Sequence, residues 1–204
     1  RGNNFSEIWI NISGWTSPNK RYLYSPQDNL FNYQPLSTPV EYPELENLTA
    51  KEVMVKSHDG VMVPVSIIHN KNIDMNGENP AVIYSYGSYG NSTNPFFSPI
   101  TLTYTMYGGI LVVPHVRGGG ELGDAWHKAG QKLNKPNTWK DGIATAEYLI
   151  DKGYTNANKL SIFLYCGAVR SCATYFSNHT SKLCVFFGIC FLWNVTNFLR
   201  STLS

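Results

Sequence analysis

The 204 residues are 43% hydrophobic and carry a formal net charge of +2, the composition of a globular chain able to bury a core. The charges are scattered instead of gathered into a basic stripe, which argues against a nucleic-acid or membrane partner. The chain opens on Arg1, and no charged, apolar, small-residue leader pattern follows, so a piece of a longer protein is expected.

In chain order, β-rich runs come first. Ile8 to Ile12 and Arg21 to Tyr24 are separated by Ser13-Gly14 and Ser17-Pro18-Asn19, and Ser25-Pro26-Gln27 follows, the texture of short antiparallel strands. Pro39, Pro43, Glu44 and Glu46 mark a connector, with a boundary near residue 44. Lys51 to Lys56 and Val61 to His69 alternate apolar and polar residues around Ser57-His58-Asp59-Gly60, which predicts a hairpin with Asp-Gly in its turn. The rhythm then changes. Pro80 to Tyr84 and Ile110 to Val116 are mostly apolar runs ending in Gly-rich loops, as buried parallel strands do. Thr101 to Tyr107 between them is expected to cross over as a helix. Ile143, Ala146, Leu149 and Ile150 have helical spacing over Thr138 to Lys152, with Asp141 in the first turn and Gly153 just past the end. Lys159 to Tyr165 reads as another buried strand. Strand, helix, strand in this order predicts an α/β fold.

After residue 165 the composition changes. All four cysteines (Cys166, Cys172, Cys184, Cys190) lie there, and no Asp or Glu follows Asp151. The cysteine spacings match no short-spaced metal motif, so free or buried thiols are expected. Leu183 to Trp193 is nearly all apolar but falls short of the roughly 20 residues that span a bilayer.

One short motif carries chemistry. A nucleophile elbow needs a strand, a sharp turn and a helix, with small residues flanking the nucleophile as Gly-x-Ser-x-Gly. Here the strand Leu160 to Leu164 runs into Tyr165-Cys166-Gly167-Ala168-Val169, which keeps small residues after the centre and loses the outer glycines. Cys166 occupies the nucleophile position, and a thiol can serve there if a histidine depresses its pKa. Of the five histidines (His58, His69, His115, His127, His179) only His179 follows it, with no acid beyond, whereas the order for this fold is nucleophile, acid, histidine. An inert thiol is the expectation. Arg117-Gly-Gly-Gly120 lacks the Gly-x-x-x-x-Gly-Lys-[Ser/Thr] pattern of a phosphate loop and is read as a tight structural loop. Glu121, Asp124 and His127 have the chemistry of metal ligands, but no role in catalysis or metal binding is assigned to them. Asn-x-Ser/Thr sequons, among them those at Asn11, Asn47, Asn91, Asn178 and Asn194, are compatible with secretion.

Three long motifs occur in one order: Pro80-Ala-Val-Ile-Tyr-Ser-Tyr-Gly-Ser-Tyr-Gly90, Arg117-Gly-Gly-Gly-Glu-Leu-Gly-Asp-Ala-Trp-His-Lys-Ala-Gly130, and Asn134-Lys-Pro-Asn-Thr-Trp-Lys-Asp141 followed by Ala146-Glu-Tyr-Leu-Ile150. With Gly153-Tyr-Thr155, they resemble the catalytic domain of the prolyl oligopeptidases, serine peptidase family S9, over about Glu44 to Leu164. Residues 1–43, with Ser13-Gly-Trp-Thr-Ser-Pro18, resemble more loosely the last blade of that family's propeller. The resemblance implies an incomplete α/β-hydrolase fold, the first half of its sheet, preceded by a β-rich remnant of a propeller blade. It divides the chain into residues 1–43, 44–165 and a divergent Cys-rich tail, 166–204.

The resemblance also implies roles. Tyr86 matches the tyrosine whose hydroxyl forms half of the oxyanion hole, a donor of the kind acyl transfer requires; the backbone N–H of Gly167 would supply the other half. Tyr89 falls where an aromatic lines the proline pocket. Short proline-containing peptides are the implied partners, no cofactor is implied, and the cytoplasm is the expected compartment. The family pattern would place Gly-Gly-Ser-x-Gly-Gly across Leu164 to Val169, and none of its four glycines nor its serine stands in place. A peptidase-family chain without the full reaction is therefore the first expectation. A non-catalytic peptide-binding or interaction chain using the Tyr86 and Tyr89 loop is the second, and a cysteine hydrolase centred on Cys166 the third.

Overall fold

The computed structural model describes residues 7–36, 42–164 and 184–187. They form two sheets. The first is antiparallel, with β1 (Ile8–Ile12), β2 (Lys20–Ser25) and β3 (Leu30–Tyr33) in sequence order. Ile8 pairs with Tyr24, Ile12 with Lys20, and Tyr24 with Phe31. Because side chains alternate along a strand, Ile8, Ile10, Ile12, Tyr22, Tyr24 and Phe31 share one face. Two of these strands match the sequence reading to within a residue at each end. β3 is an addition, since four residues are too few for alternation to register.

The second sheet contains β4 (Leu48–Lys56), β5 (Met62–Asn70), β6 (Ala81–Ser85), β7 (Ile110–Pro114), β8 (Leu160–Leu164) and β9 (Cys184–Phe187), in the order β4-β5-β7-β6-β8-β9. β4, β5 and β7 pair antiparallel, and β7, β6, β8 and β9 pair parallel. The expected hairpin joins β4 to β5. Its turn closes through Ser57 N–H to Val61 O at 2.8 Å and Gly60 N–H to Ser57 O at 2.9 Å, with Gly60 at φ +86°, where a side chain would be strained.

The core lies on both faces of this sheet. All five residues of β7 are buried, which is why its sequence reads as an unbroken apolar run. Ile110 and Val112 join the layer under α3 (Pro136–Asp151), with Ile83, Ile143 and Leu149. Leu111 and Val113 join the opposite layer with Leu102 of α1 (Pro99–Met106). Trp15 packs into that second layer, its ring 5.2 Å from that of Phe96, so an indole from the first segment is part of the core of the second.

Both long helices start earlier than expected, for one reason. Pro99 and Pro136 sit in the first turns, where a missing N–H costs nothing. Ser98 caps α1 by accepting the Thr101 N–H at 3.4 Å. For α3 the shift moves Asp141 from the expected first turn to the second, where it is fully buried.

Candidate active site

In the second sheet, β6 and β8 lie side by side and parallel, and Ser85 pairs with Leu164 at their carboxyl ends. The chain leaves β6 toward β7 on one side, and β9 lies beyond β8 on the other. Neighbouring strands whose connections diverge open a crevice at their carboxyl edge, where open α/β sheets bind ligands. Tyr86 is the first residue past β6 and is half-buried. Tyr89, three residues on, is 78% exposed with φ +56°, an uncommon conformation for a residue other than glycine. Cys166, Gly167 and His179 lie outside the described residues, as does the remaining tail apart from β9.

The Tyr86–Tyr89 loop rests on the Arg117–Gly120 loop, backbone against backbone. Gly87 has φ +63°, and a Cβ there would stand 2.5 Å from Val116 Cγ2 and 2.6 Å from Thr138 Cγ2. The Gly90 N–H donates to Gly118 O at 3.1 Å. A Cβ on Gly118 would overlap the Gly87 carbonyl, so these glycines allow two main chains to touch.

Beneath them Arg117 is 3% exposed. Its Nε and Nη2 donate to Asp141 Oδ2 and Oδ1 at 3.0 and 2.6 Å, and its backbone N–H donates to Asp141 Oδ2 at 3.0 Å. Nη2 also reaches Asp59 Oδ1 at 3.2 Å, and Ser57 Oγ donates to Asp141 Oδ1 at 2.6 Å. Burial disfavours the guanidinium charge, but the hydrogen bonds to Asp141 and Asp59 outweigh it and raise the Arg117 pKa. The same bond from Arg117 holds the Asp59 carboxyl down at about 2. A buried charge is tolerable when paired and bonded in this way. The network ties the β4–β5 turn, the Arg117 loop and α3 together, and it gives the Arg117–Gly120 loop its structural role.

Glu121, Asp124 and His127 point to different partners. Glu121 Oε1 accepts the Thr93 N–H at 2.8 Å and stands 3.6 Å from His115 Nδ1. Burial raises its pKa, and the nearby His115 ring together with the Thr93 N–H more than offsets this to lower it. Asp124, in the short helix α2 (Asp124–Lys128), pairs with Lys128 at 2.6 Å, and His127 Nδ1 meets Gly118 O at 2.9 Å. Among the described residues no three His, Cys, Asp or Glu gather as metal ligands. Ser66 Oγ lies 3.0 Å from His115 Nε2, so Ser66, His115 and Glu121 have the composition of a triad. Ser66 is 1% exposed, and no substrate carbonyl reaches it. Sequence spacing gave no hint of this array, because its members come from β5, the end of β7 and a loop.

Two residues that support the loops went unassigned in the sequence. Thr138 Oγ1 donates to Arg117 O at 2.7 Å, and Lys135 Nζ to Gly87 O at 2.6 Å. With Asp141 they form the series 135, 138, 141, and a three-residue spacing puts side chains on one helical face. That spacing was the available signal.

A mixed sheet with parallel strands beside a hairpin and helices on both faces is the architecture of the α/β-hydrolase class, here as the first part of the sheet preceded by the β-rich blade remnant. The family then follows from comparison: residues 95–163 match the prolyl oligopeptidase family, and the chain belongs to it. It is 36% identical over 171 residues to the dual function macrocyclase-peptidase POPB of Amanita bisporigera, covering 79% of this chain and 23% of that protein. Over 117 residues it is 40% identical to the prolyl endopeptidase of Elizabethkingia meningoseptica, covering 57% and 17%. The solved prolyl oligopeptidase B of Galerina marginata, bound to a 35mer hydrolysis and macrocyclization substrate, superposes with a TM-score of 0.74 at 32% identity, covering 81% of this chain and 24% of that one. The chain thus spans under a quarter of the length of these relatives.

Proposed function

We propose that the carboxyl edge of the second sheet is the peptide edge of a serine-type endopeptidase of the prolyl oligopeptidase kind, which cleaves after proline in short peptides, and that this chain alone does not complete that reaction. One observation carries the reading: Tyr86 follows β6 directly, beside β8, while the second position after β8 offers Cys166 in place of a serine between glycines. In this reading the Tyr86 O–H and the Gly167 N–H share the developing oxyanion, and Tyr89 lines the proline pocket. Without a nucleophile, base and acid acting with it, a donor aimed at such charge supports only a residual rate, several orders of magnitude below that of a complete triad. No Asp or Glu follows Asp151. The cytoplasm is the compartment we propose. A chromogenic proline-peptide assay tests the inactivity. No turnover is expected, and turnover that Cys166→Ala abolishes would overturn it in favour of a cysteine hydrolase.

A second reading, peptide binding without catalysis, is favoured by Tyr89, which the backbone holds outward at 78% exposure. Titration with a proline peptide aldehyde is expected to give saturable binding that Tyr89→Ala weakens. Absence of saturation would remove this reading.

A further inference from the structure

The loop after β6 adopts left-handed backbone at Gly87 (φ +63°), Tyr89 (φ +56°) and Gly90 (φ +67°). A non-glycine residue in that region persists only where its surroundings impose it. Gly90 supplies one anchor through its N–H to Gly118 O. The other is a cation. Lys135 Nζ donates to Gly87 O at 2.6 Å and to Ser88 Oγ at 2.8 Å, bonding two consecutive residues between the tyrosines. Charge-assisted bonds of this length are among the stronger ones, and a compact ammonium can serve two acceptors at once where a planar guanidinium demands a fork.

Lys135 is well placed for this. Its backbone is fixed by its N–H to Lys132 O at 3.1 Å and by its own carbonyl accepting the Thr138 N–H at 3.1 Å, and Pro136 follows it. It occupies the N-cap position of α3, and its side chain makes no capping bond there. The ammonium serves the loop, not its own helix.

We propose that Lys135 is the positioning residue of the Tyr86–Tyr89 loop, holding it in the geometry that presents both tyrosines to a peptide. The presentation to peptide rests on the reading above; the positioning does not. The experiment takes the full chain unaltered and with Lys135→Met or Lys135→Arg, and follows amide hydrogen exchange beside titration with a proline peptide aldehyde. Lys135→Met is expected to speed exchange at the Gly90 amide by about tenfold, the loss of roughly one net hydrogen bond, while the α3 amides stay unchanged. Lys135→Arg keeps a donor and is expected to restore part of that protection. Peptide affinity is expected to fall with Lys135→Met in step with loop protection. Unchanged Gly90 exchange, or an equal rise throughout α3, would overturn the proposal. Loop release in Lys135→Met together with no peptide binding by the unaltered chain would support the positioning role and refute the peptide reading instead.

Discussion

The two sheets hold their apolar residues in opposite ways. In the first, Ile8, Trp9, Ile12, Leu30, Phe31 and Tyr33 are 43–56% exposed; in the second, Val63, Val65, Ile67, Ile83, Ile110 and Val112 are 0% exposed. Both sets are apolar residues in β-strands. Cross-strand aromatic contacts such as Tyr24 against Phe31, with ring centres 4.8 Å apart, add to the pairing of the first sheet. Helices on both faces bury the second. Stability is therefore concentrated in the second sheet and in the charged network under its carboxyl edge, and Trp15 is the anchor of the first segment in that core.

The largest test of that concentration is Arg117→Met. The substitution leaves Asp141, 0% exposed, as a buried carboxylate without its partner, and breaking a buried pair in this way costs about 3–5 kcal/mol. Equilibrium urea unfolding of the unaltered and altered chains is expected to show the difference. A loss within about 0.5 kcal/mol, typical of surface substitutions, would show that the network does not hold the edge together.

Local pattern was enough to read most of the second sheet. β5, β6, β7 and β8 follow from apolar runs and from the turn at Asp59-Gly60, because period and turn chemistry are properties of adjacent residues. Helix starts were read late, since a proline looks like a boundary although the first turn accepts it. Asp141 falls a turn later than the sequence places it because the helix starts at Pro136, and its partner, 24 residues away, leaves no local signal. Tyr86 and Tyr89 are singled out by long motifs, and the side chains that contact their loop are not. Lys135, Thr138 and Asp141 sit three apart, but an interval of three is also common on solvated helix faces. Only the approach of the Gly87 and Gly118 main chains, a contact between segments distant in sequence, gives that interval its meaning.

The charged network also predicts a smaller, acid-side effect that separates its exposed end from its buried one. Arg117 holds Asp59 at about 2, below the ordinary carboxylate value near 4. A depressed folded-state pKa gives stability that is present above the unfolded value and is lost as pH falls from about 4 toward 2. Asp59→Asn is therefore expected to melt below the unaltered chain at pH 7 and to converge with it near pH 2. The effect is modest, because the Asp59 side chain is 35% exposed and solvent screens the pair. A constant gap in melting temperature across that range would place the interaction elsewhere in the network.

The smallest effect is expected in the first sheet, and it bears most directly on the contrast between the two. Ile12 is 53% exposed and pairs with Lys20 at the end of β1. Truncation to alanine removes methyl groups that water already reaches, so no cavity forms and little transfer free energy is lost. Ile12→Ala is expected to change unfolding free energy by no more than about 0.5 kcal/mol, whereas truncating a fully buried isoleucine such as Ile83 in β6 belongs to the class costing about 2–5 kcal/mol. Urea unfolding of the two variants side by side measures both. A cost at Ile12 approaching that at Ile83 would mean that the Ile8, Ile10 and Ile12 face is covered when the protein is in solution, and the first sheet would then contribute a core of its own.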